Sequence, residues 1–174
     1  MTAFDADLGP CRVRPFRRDD EASIARHADD RAVWINLRDR FPHPYTLEDA
    51  RVWLAGVLAN REATDYAIEV DGRAVGGVGF APGPDVFRRS AEIGYWLGRA
   101  YWGRGIASAA VRAVTAHALA RPDLVRLQAH VFGWNLASAR VLEKAGYTFE
   151  GRHRLAVTKD GRSTDALVYA IIRE

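Results

Sequence analysis

The residues best suited to chemistry by type and spacing are Trp102, Gly103, Arg104, Gly105, Ile106, Ala107 and Ser108, set between a strand-like run and an alanine-rich helical run. A diphosphate needs several backbone N–H groups converging on it, and the first turn of a helix supplies them with a favourable dipole. Gly103 and Gly105 have no side chain, so the backbone can approach phosphate oxygens closely. Arg104 adds charge and Ser108 adds a hydroxyl donor. An ordinary glycine-rich strand–helix turn would read the same way, and the turn alone does not choose between them. Two other phosphate motifs are excluded. There is no Gly-Lys-Ser/Thr of a P-loop, and the glycine spacing misses Gly-x-Gly-x-x-Gly, with no early strand before it as in a dinucleotide-binding unit.

The elements that must position this turn can be followed along the chain. Residues 12–16 read as a short strand, and Asp19 and Asp20 offer N-caps to a helix over 22–28. Val33, Trp34, Ile35 and Leu37 precede the breaker Pro42-His43-Pro44. Thr46 with Asp49 resembles a capping box, and Ala50, Trp53, Leu54 and Val57 continue as a helical stripe. The period then changes: residues 66–70 and 74–80 read as strands joined by Asp71-Gly72, a strong hairpin signal. A strand over 90–97, a helix over 106–120, a strand over 125–132 and a helix over 136–145 closed by Gly146 follow. Two final strands, 147–158 and 164–172, flank Asp160-Gly161. This order predicts a mixed α/β domain built on one sheet, unlike a doubly wound fold in which strands and helices alternate from the start.

With 174 residues and 48% hydrophobic content, the chain suits a single domain, 1–174, with a real core. Its first 18 residues hold no apolar run of signal-peptide length, and no stretch approaches the roughly 20 apolar residues of a membrane helix, so a cytoplasmic protein without membrane contact is expected. The lone cysteine, Cys11, rules out an internal disulfide and a cysteine cluster for metal, and reads as a thiol without chemistry. A net charge of +3, carried almost wholly by arginines dispersed among acidic residues, gives no nucleic-acid signature, though a cationic pocket for an anionic cofactor stays open.

The runs Glu92-Ile93-Gly94-Tyr95-Trp96-Leu97 and Tyr101-Trp102-Gly103-Arg104-Gly105-Ile106-Ala107 resemble motif A of the GNAT acetyltransferase superfamily. Asn135-Leu136-Ala137-Ser138-Ala139-Arg140-Val141-Leu142-Glu143-Lys144-Ala145-Gly146-Tyr147 resembles its motif B. Arg12-Val13-Arg14-Pro15, Pro42-His43-Pro44-Tyr45 and Glu150-Gly151-Arg152 with Asp160-Gly161 and Asp165 are similar to the branch that acetylates ribosomal-protein N-termini, so the likeness spans nearly the whole chain. It implies a mostly antiparallel twisted sheet split between its central strands and flanked by helices. It also implies acetyl-CoA as co-substrate, no metal, and a monomer or homodimer. On this pattern the pantetheine arm pairs with backbone around Trp96, Leu97 and Gly98. The pyrophosphate meets the N–H groups of residues 103–107, and Asn135 bonds the arm or the acetyl end. Three positions depart from the pattern: Trp102 stands where Gln or Arg is common, Ala109 where the branch often has Glu, and Leu142 where many members carry an acidic Tyr.

Acyl transfer from a thioester to an amine needs a neutral amine, a polarised carbonyl and a stabilised thiolate. An α-amine with a pKa near 8 is already about one-tenth neutral at pH 7, whereas a lysine near 10.4 is mostly charged. An N-terminal amine of a peptide or protein therefore needs only mild help, such as a carboxylate acting through water. Glu92 is the candidate catalytic carboxylate, sharing a strand face with Gly94 and Trp96; an exposed strand glutamate or an ion-pair partner would look alike. His130, on a central strand, and His117, in the alanine-rich helix, are the competing bases. Ser138 is the candidate thiolate partner, though Asn135 with Ser138 also reads as a helix N-cap and its first turn. Trp34 and Tyr45 are the candidate acceptor-binding residues, while Trp53 reads as packing. A small amine (an amino acid, polyamine or aminoglycoside) is the alternative acceptor, and a non-catalytic coenzyme A sensor the alternative of another class.

Overall fold

The computed structural model describes residues 4–173; residues 1–3 and 174, the ends of the expected 1–174 domain, lie outside the described residues. In chain order the elements are β1 (Ala6–Asp7), β2 (Arg12–Pro15), α1 (Glu21–Ala28), α2 (Arg31–Trp34), α3 (Leu47–Ala59), β3 (Asp65–Val70), β4 (Arg73–Pro82) and β5 (Ser90–Leu97). The second half holds α4 (Ile106–Leu119), β6 (Arg126–Phe132), α5 (Leu136–Lys144), β7 (Thr148–Lys159) and β8 (Arg162–Ile172). The eight strands form one sheet in the order β1-β2-β3-β4-β5-β6-β8-β7. Every junction is antiparallel except β5 with β6, which the α4 crossover makes parallel. This is the mixed, mostly antiparallel sheet expected. Among the described residues no helix is long and apolar enough to cross a membrane.

Local chemistry accounts for the boundaries. The Thr46 hydroxyl accepts from the Asp49 N–H at 3.1 Å while the Asp49 carboxylate accepts from the Thr46 N–H at 2.8 Å, a reciprocal cap that starts α3. The β3–β4 hairpin turns on Asp71 and Gly72, both at positive φ (50° and 74°), as its sequence predicts. Asp20 behaves differently from expectation. It makes no cap bond to α1; its carboxylate takes the Arg14 guanidinium at 2.8 and 2.7 Å and the Arg17 N–H at 2.7 Å. Arg14 is buried and also meets Glu69, so its charge requires these partners more than the helix requires a cap.

One face of the sheet is covered by α4 and α5, where Ile106, Val111, Val114 and Leu142 pack with Val75, Ile93 and Leu127. The other face is covered by α1 and α3, where Ile24 and Leu54 pack with Phe16, Ala67 and Ala74. Leu142 is fully buried, which explains a leucine at this position; truncating such a residue to alanine costs about 2–5 kcal/mol.

One irregularity matters for function. β5 stays with β4 through Leu97, and β6 stays with β8 through Phe132. Yet β5 and β6 pair only at Ser90↔Arg126, Ala91↔Leu127 and Glu92↔Gln128. Beyond Glu92 the two halves of the sheet diverge, leaving a gap in its middle.

Candidate active site at the split in the sheet

Strand alternation determines which backbone groups face this gap. The Gly98 N–H donates to the Val75 carbonyl at 2.8 Å, and the Gly83 N–H to the Ser90 carbonyl at 2.8 Å. Even-numbered residues of β5 therefore point their amides at β4, and Ile93, Tyr95 and Leu97 point theirs into the gap. The expectation of Trp96, Leu97 and Gly98 shifts accordingly. Leu97 stays, Trp96 is turned toward Gly77, and both Gly98 backbone groups are taken, its carbonyl by the Tyr101 N–H at 2.9 Å. Trp102, one of the departures from the family pattern, donates its indole N–H to the Leu97 carbonyl at 2.7 Å and ties the turn to the end of β5.

At the turn, Gly103 and Gly105 adopt φ values of 75° and 76°, and Gly105 is the N-cap of α4. No side chain caps this helix, so the first-turn N–H groups of Ile106, Ala107 and Ser108 remain available as donors. No protein atom lies within 4 Å of where a Cβ would stand at either glycine. Glycine is thus required by the backbone conformation, and the space in front of the donors is open. Uncapped donors beside unpaired strand amides fit a pyrophosphate with an amide-bearing arm. Arg104 lies over the Tyr101 ring, 5.5 Å from its centroid, outside the cavity lining.

On the face away from α4, Glu92 pairs with Arg38 and its Oε1 lies 3.3 Å from His130 Nδ1. The hydrogen bond from His130 first, and Arg38 after it, hold the Glu92 carboxyl down at about 2 against the opposing effect of burial. His153 follows on β7, its ring centroid 6.2 Å from that of His130. On the α4 and α5 face, the Tyr95 hydroxyl sits 2.7 Å from Ser138 Oγ and 3.1 Å from the Ser138 carbonyl. Burial pushes the Tyr95 phenol well above its usual range, so it stays protonated. Asn135 is the N-cap of α5, its side-chain oxygen accepting from the Ser138 N–H at 3.2 Å, which orients both residues.

A cavity of about 1840 Å³ connects these groups. Its lining includes Gly105, Ser108, Tyr95 and Ser138 as well as Glu92 and His130, groups carried on opposite faces, so the space runs through the split. That volume exceeds the roughly 300–1,000 Å³ of a single small-ligand pocket. Arg140 and Lys144, one helical turn apart on α5, also line it. Tyr45 lines it from a buried position against Phe41, at 4.8 Å between centroids. Trp34 does not line it: the ring stacks on His43 at 5.3 Å and carries the Lys159 ammonium at 3.9 Å. Buried Lys159 also binds Asp39 at 2.9 Å, so Trp34 supports the docking of the β7–β8 hairpin tip.

The remaining candidates lie elsewhere. His117 stacks on Phe4 at 4.4 Å and meets the Tyr66 hydroxyl at 3.1 Å, a packing role outside the cavity. Trp53 packs edge-on to Phe16 at 4.9 Å while also touching the cavity wall. Cys11 is buried and its thiol is pushed up by desolvation, as an inert cysteine would be. Among the described residues no group of His, Cys, Asp or Glu is arranged to hold a metal. Arg38 and Tyr95 escape sequence reasoning, because each meets its partner across 43 or more residues of chain.

Comparison with known proteins agrees with this architecture. Residues 11–148 match the acetyltransferase (GNAT) domain family. Probable N-acetyltransferase YjcK of Bacillus subtilis is 44% identical over 84 residues, covering 48% of this chain and 46% of that protein. The chain spans about half the length of the curated relatives it matches. Mycobacterium smegmatis RimJ, solved in complex with CoA-disulfide, superposes with a TM-score of 0.81 at 28% identity, covering 93% of this chain and 81% of that one. A Salmonella typhimurium acetyl transferase that modifies the N-terminal serine of ribosomal protein L7/L12 gives 0.81 at 23% identity, covering 98% and 100%, a likeness of fold alone. With the family match extending over well more than half of its residues, the chain belongs to the GNAT acetyltransferase family.

Proposed function

We propose that the protein is an N-acetyltransferase that moves an acetyl group from acetyl-CoA to a primary amine, namely the N-terminal α-amine of a peptide or protein. The observation that carries this reading is the single cavity joining the uncapped N–H groups of α4, through the gap beyond Glu92↔Gln128, to the polar cluster on the opposite face. One end suits an anionic cofactor and the other a cationic acceptor, with the unpaired backbone of β5 between them. The names of the relatives support the chemistry: YjcK is called an N-acetyltransferase, RimJ was solved with CoA-disulfide, and the Salmonella protein acts on an N-terminal serine.

In this reading the backbone of Gly103, Gly105, Ile106 and Ala107 and the Ser108 hydroxyl receive the pyrophosphate, and Arg140 and Lys144 add positive charge. The amides of Ile93, Tyr95 and Leu97 pair with the pantetheine arm, and Asn135 holds it from α5. Ser138, hydrogen-bonded to Tyr95, hands a proton to the departing thiolate. Glu92, hydrogen-bonded to His130, serves the amine's deprotonation from the other face, and Tyr45 walls the acceptor's approach. A cytoplasmic location suits both substrates.

The test is a thiol-release assay with acetyl-CoA against peptides with free and blocked N-termini and a panel of small amines. Turnover is expected with free N-termini and not with blocked ones. Turnover on small amines alone would remove the protein-modifying reading. Tight coenzyme A binding with no turnover on any acceptor would favour a sensor.

A further inference from the structure

We propose that His130 takes the proton of the incoming amine, and that Glu92 is the positioning residue that keeps its imidazole in the right tautomer. The proposal rests on the acetyl-transfer reading given above. Glu92, in the last paired position of β5, and His130, two residues beyond its partner Gln128 on β6, project from the same face. Their side chains therefore bridge the mouth of the split, where an acceptor arriving on this face meets the gap.

The hydrogen bond fixes the tautomer. Glu92 is ionised and paired with Arg38, so its Oε1 can only accept. The proton shared at 3.3 Å must then sit on His130 Nδ1, which leaves the lone pair of the neutral ring on Nε2. A carboxylate at about 2 is a poor proton acceptor for an α-amine near 8, by about a millionfold in affinity. An imidazole with a free ring nitrogen is the side chain best suited to take up a proton of this kind and pass it on. The carboxylate is better suited to holding the imidazolium that forms, as a buried acid orients a histidine in hydrolase triads. The other charged or titratable groups near the ring are Arg38, satisfied by Glu92, and His153 from β7; Lys159, further along β7, is held by Asp39. The His130 side chain is 30% exposed, so the proton has a route to water.

The balance is complete without another reactant. The ammonium loses one proton to His130 Nε2, which releases it to solvent. The neutral nitrogen forms its bond to the thioester carbon, the C–S bond breaks, and its electron pair leaves on sulfur. His130 Nε2, free again, takes the second N–H proton as the amide forms and passes it to solvent, while the Ser138 hydroxyl protonates the thiolate and is reprotonated from water.

The experiment compares wild type, His130→Gln, Glu92→Gln and the double variant with acetyl-CoA and a free-N-terminus peptide, and records the imidazole nitrogens of ¹⁵N-histidine-labelled protein by NMR. Loss of a general base costs about 10²–10⁴ in rate. We expect His130→Gln to lower kcat by roughly a hundredfold or more with unchanged coenzyme A affinity, and to remove the acid limb of the kcat/KM profile. Glu92→Gln should cost about tenfold and the double variant no more than His130→Gln alone. His130→Ala should regain turnover with added imidazole. The NMR spectrum should show His130 protonated on Nδ1 in wild type and a mixed tautomer in Glu92→Gln. Wild-type turnover with an active His130→Gln and an inactive Glu92→Gln would overturn the proposal and leave the acetyl-transfer reading intact. So would an Nε2-protonated ring. No turnover by wild type on any amine would overturn the reading and the proposal together.

Discussion

The two faces of the split sheet hold their polar groups in contrasting ways. Toward α4 and α5, Tyr95 and Ser138 are neutral hydroxyls 2.7 Å apart, with the phenol largely shielded from water. Toward the acceptor side, Glu92, Arg38 and His130 form a charged cluster, each side chain about a third or more exposed. The difference matches the demands of acyl transfer. A departing thiolate needs a donor that stays protonated, which burial ensures for a hydroxyl. An ammonium needs a group that can gain a proton and pass it to water, which exposure allows. The gap between β5 and β6 lets both environments reach one bond.

Three perturbations would break or sharpen this contrast. The largest effect is expected where both faces depend on the same anchor. Gly105→Val places a β-branched residue at a φ of 76°, a conformation costing about 1–3 kcal/mol, and puts its side chain before the α4 donors. Coenzyme A affinity measured by calorimetry on the folded variant should fall about 10–100-fold, beside a melting-temperature drop of about 2–12 °C from the strain. Retained affinity would remove the turn from the cofactor site.

On the hydroxyl face, Ser138→Ala should lower kcat about tenfold with little change in coenzyme A affinity, since a thiol near 8.5 is a good leaving group and needs modest help. Tyr95→Phe should cost about threefold, because Ser138 keeps its own hydroxyl. Steady-state kinetics with a fixed peptide would separate the two; a greater loss for Tyr95→Phe would make the phenol the donor.

The smallest of the three is a stability effect at the Arg38–Glu92 pair on the charged face. Glu92 is held below its unfolded-state value, so its pairing adds stability that is complete above roughly pH 5 and fades as pH falls toward 2. Arg38→Gln should therefore lower the melting temperature more at about pH 7 than at about pH 3, by a free energy below about 1 kcal/mol for a pair this exposed. An equal loss at both pH values would show that Arg38 contributes packing and not charge.

Much of the fold was legible in the sequence because its signals are local. The Thr46–Asp49 capping box, the Asp71-Gly72 and Asp160-Gly161 turns and the glycine turn before α4 each act within a few residues. Strand alternation correctly put Glu92, Gly94 and Trp96 on one face. What escaped depends on segments distant in sequence. Arg38 reaches Glu92 across 54 residues, and Tyr95 reaches Ser138 across 43. Trp34 had the composition of a binding aromatic, yet Lys159, on a strand over 100 residues away, occupies its face. Asp20 had the position of a cap, yet a buried arginine claimed its carboxylate. That the odd-numbered amides of β5 face the gap while the Gly98 amide is taken by β4 needed the register with β4, which no single strand reveals.

The most direct measurement of the central claim is tandem mass spectrometry of a peptide bearing both a free α-amine and an internal lysine, incubated with the protein and isotope-labelled acetyl-CoA. The account predicts one labelled acetyl group on the N-terminal residue and none on the lysine. Label confined to the lysine, or no label while coenzyme A saturates the site, would contradict it.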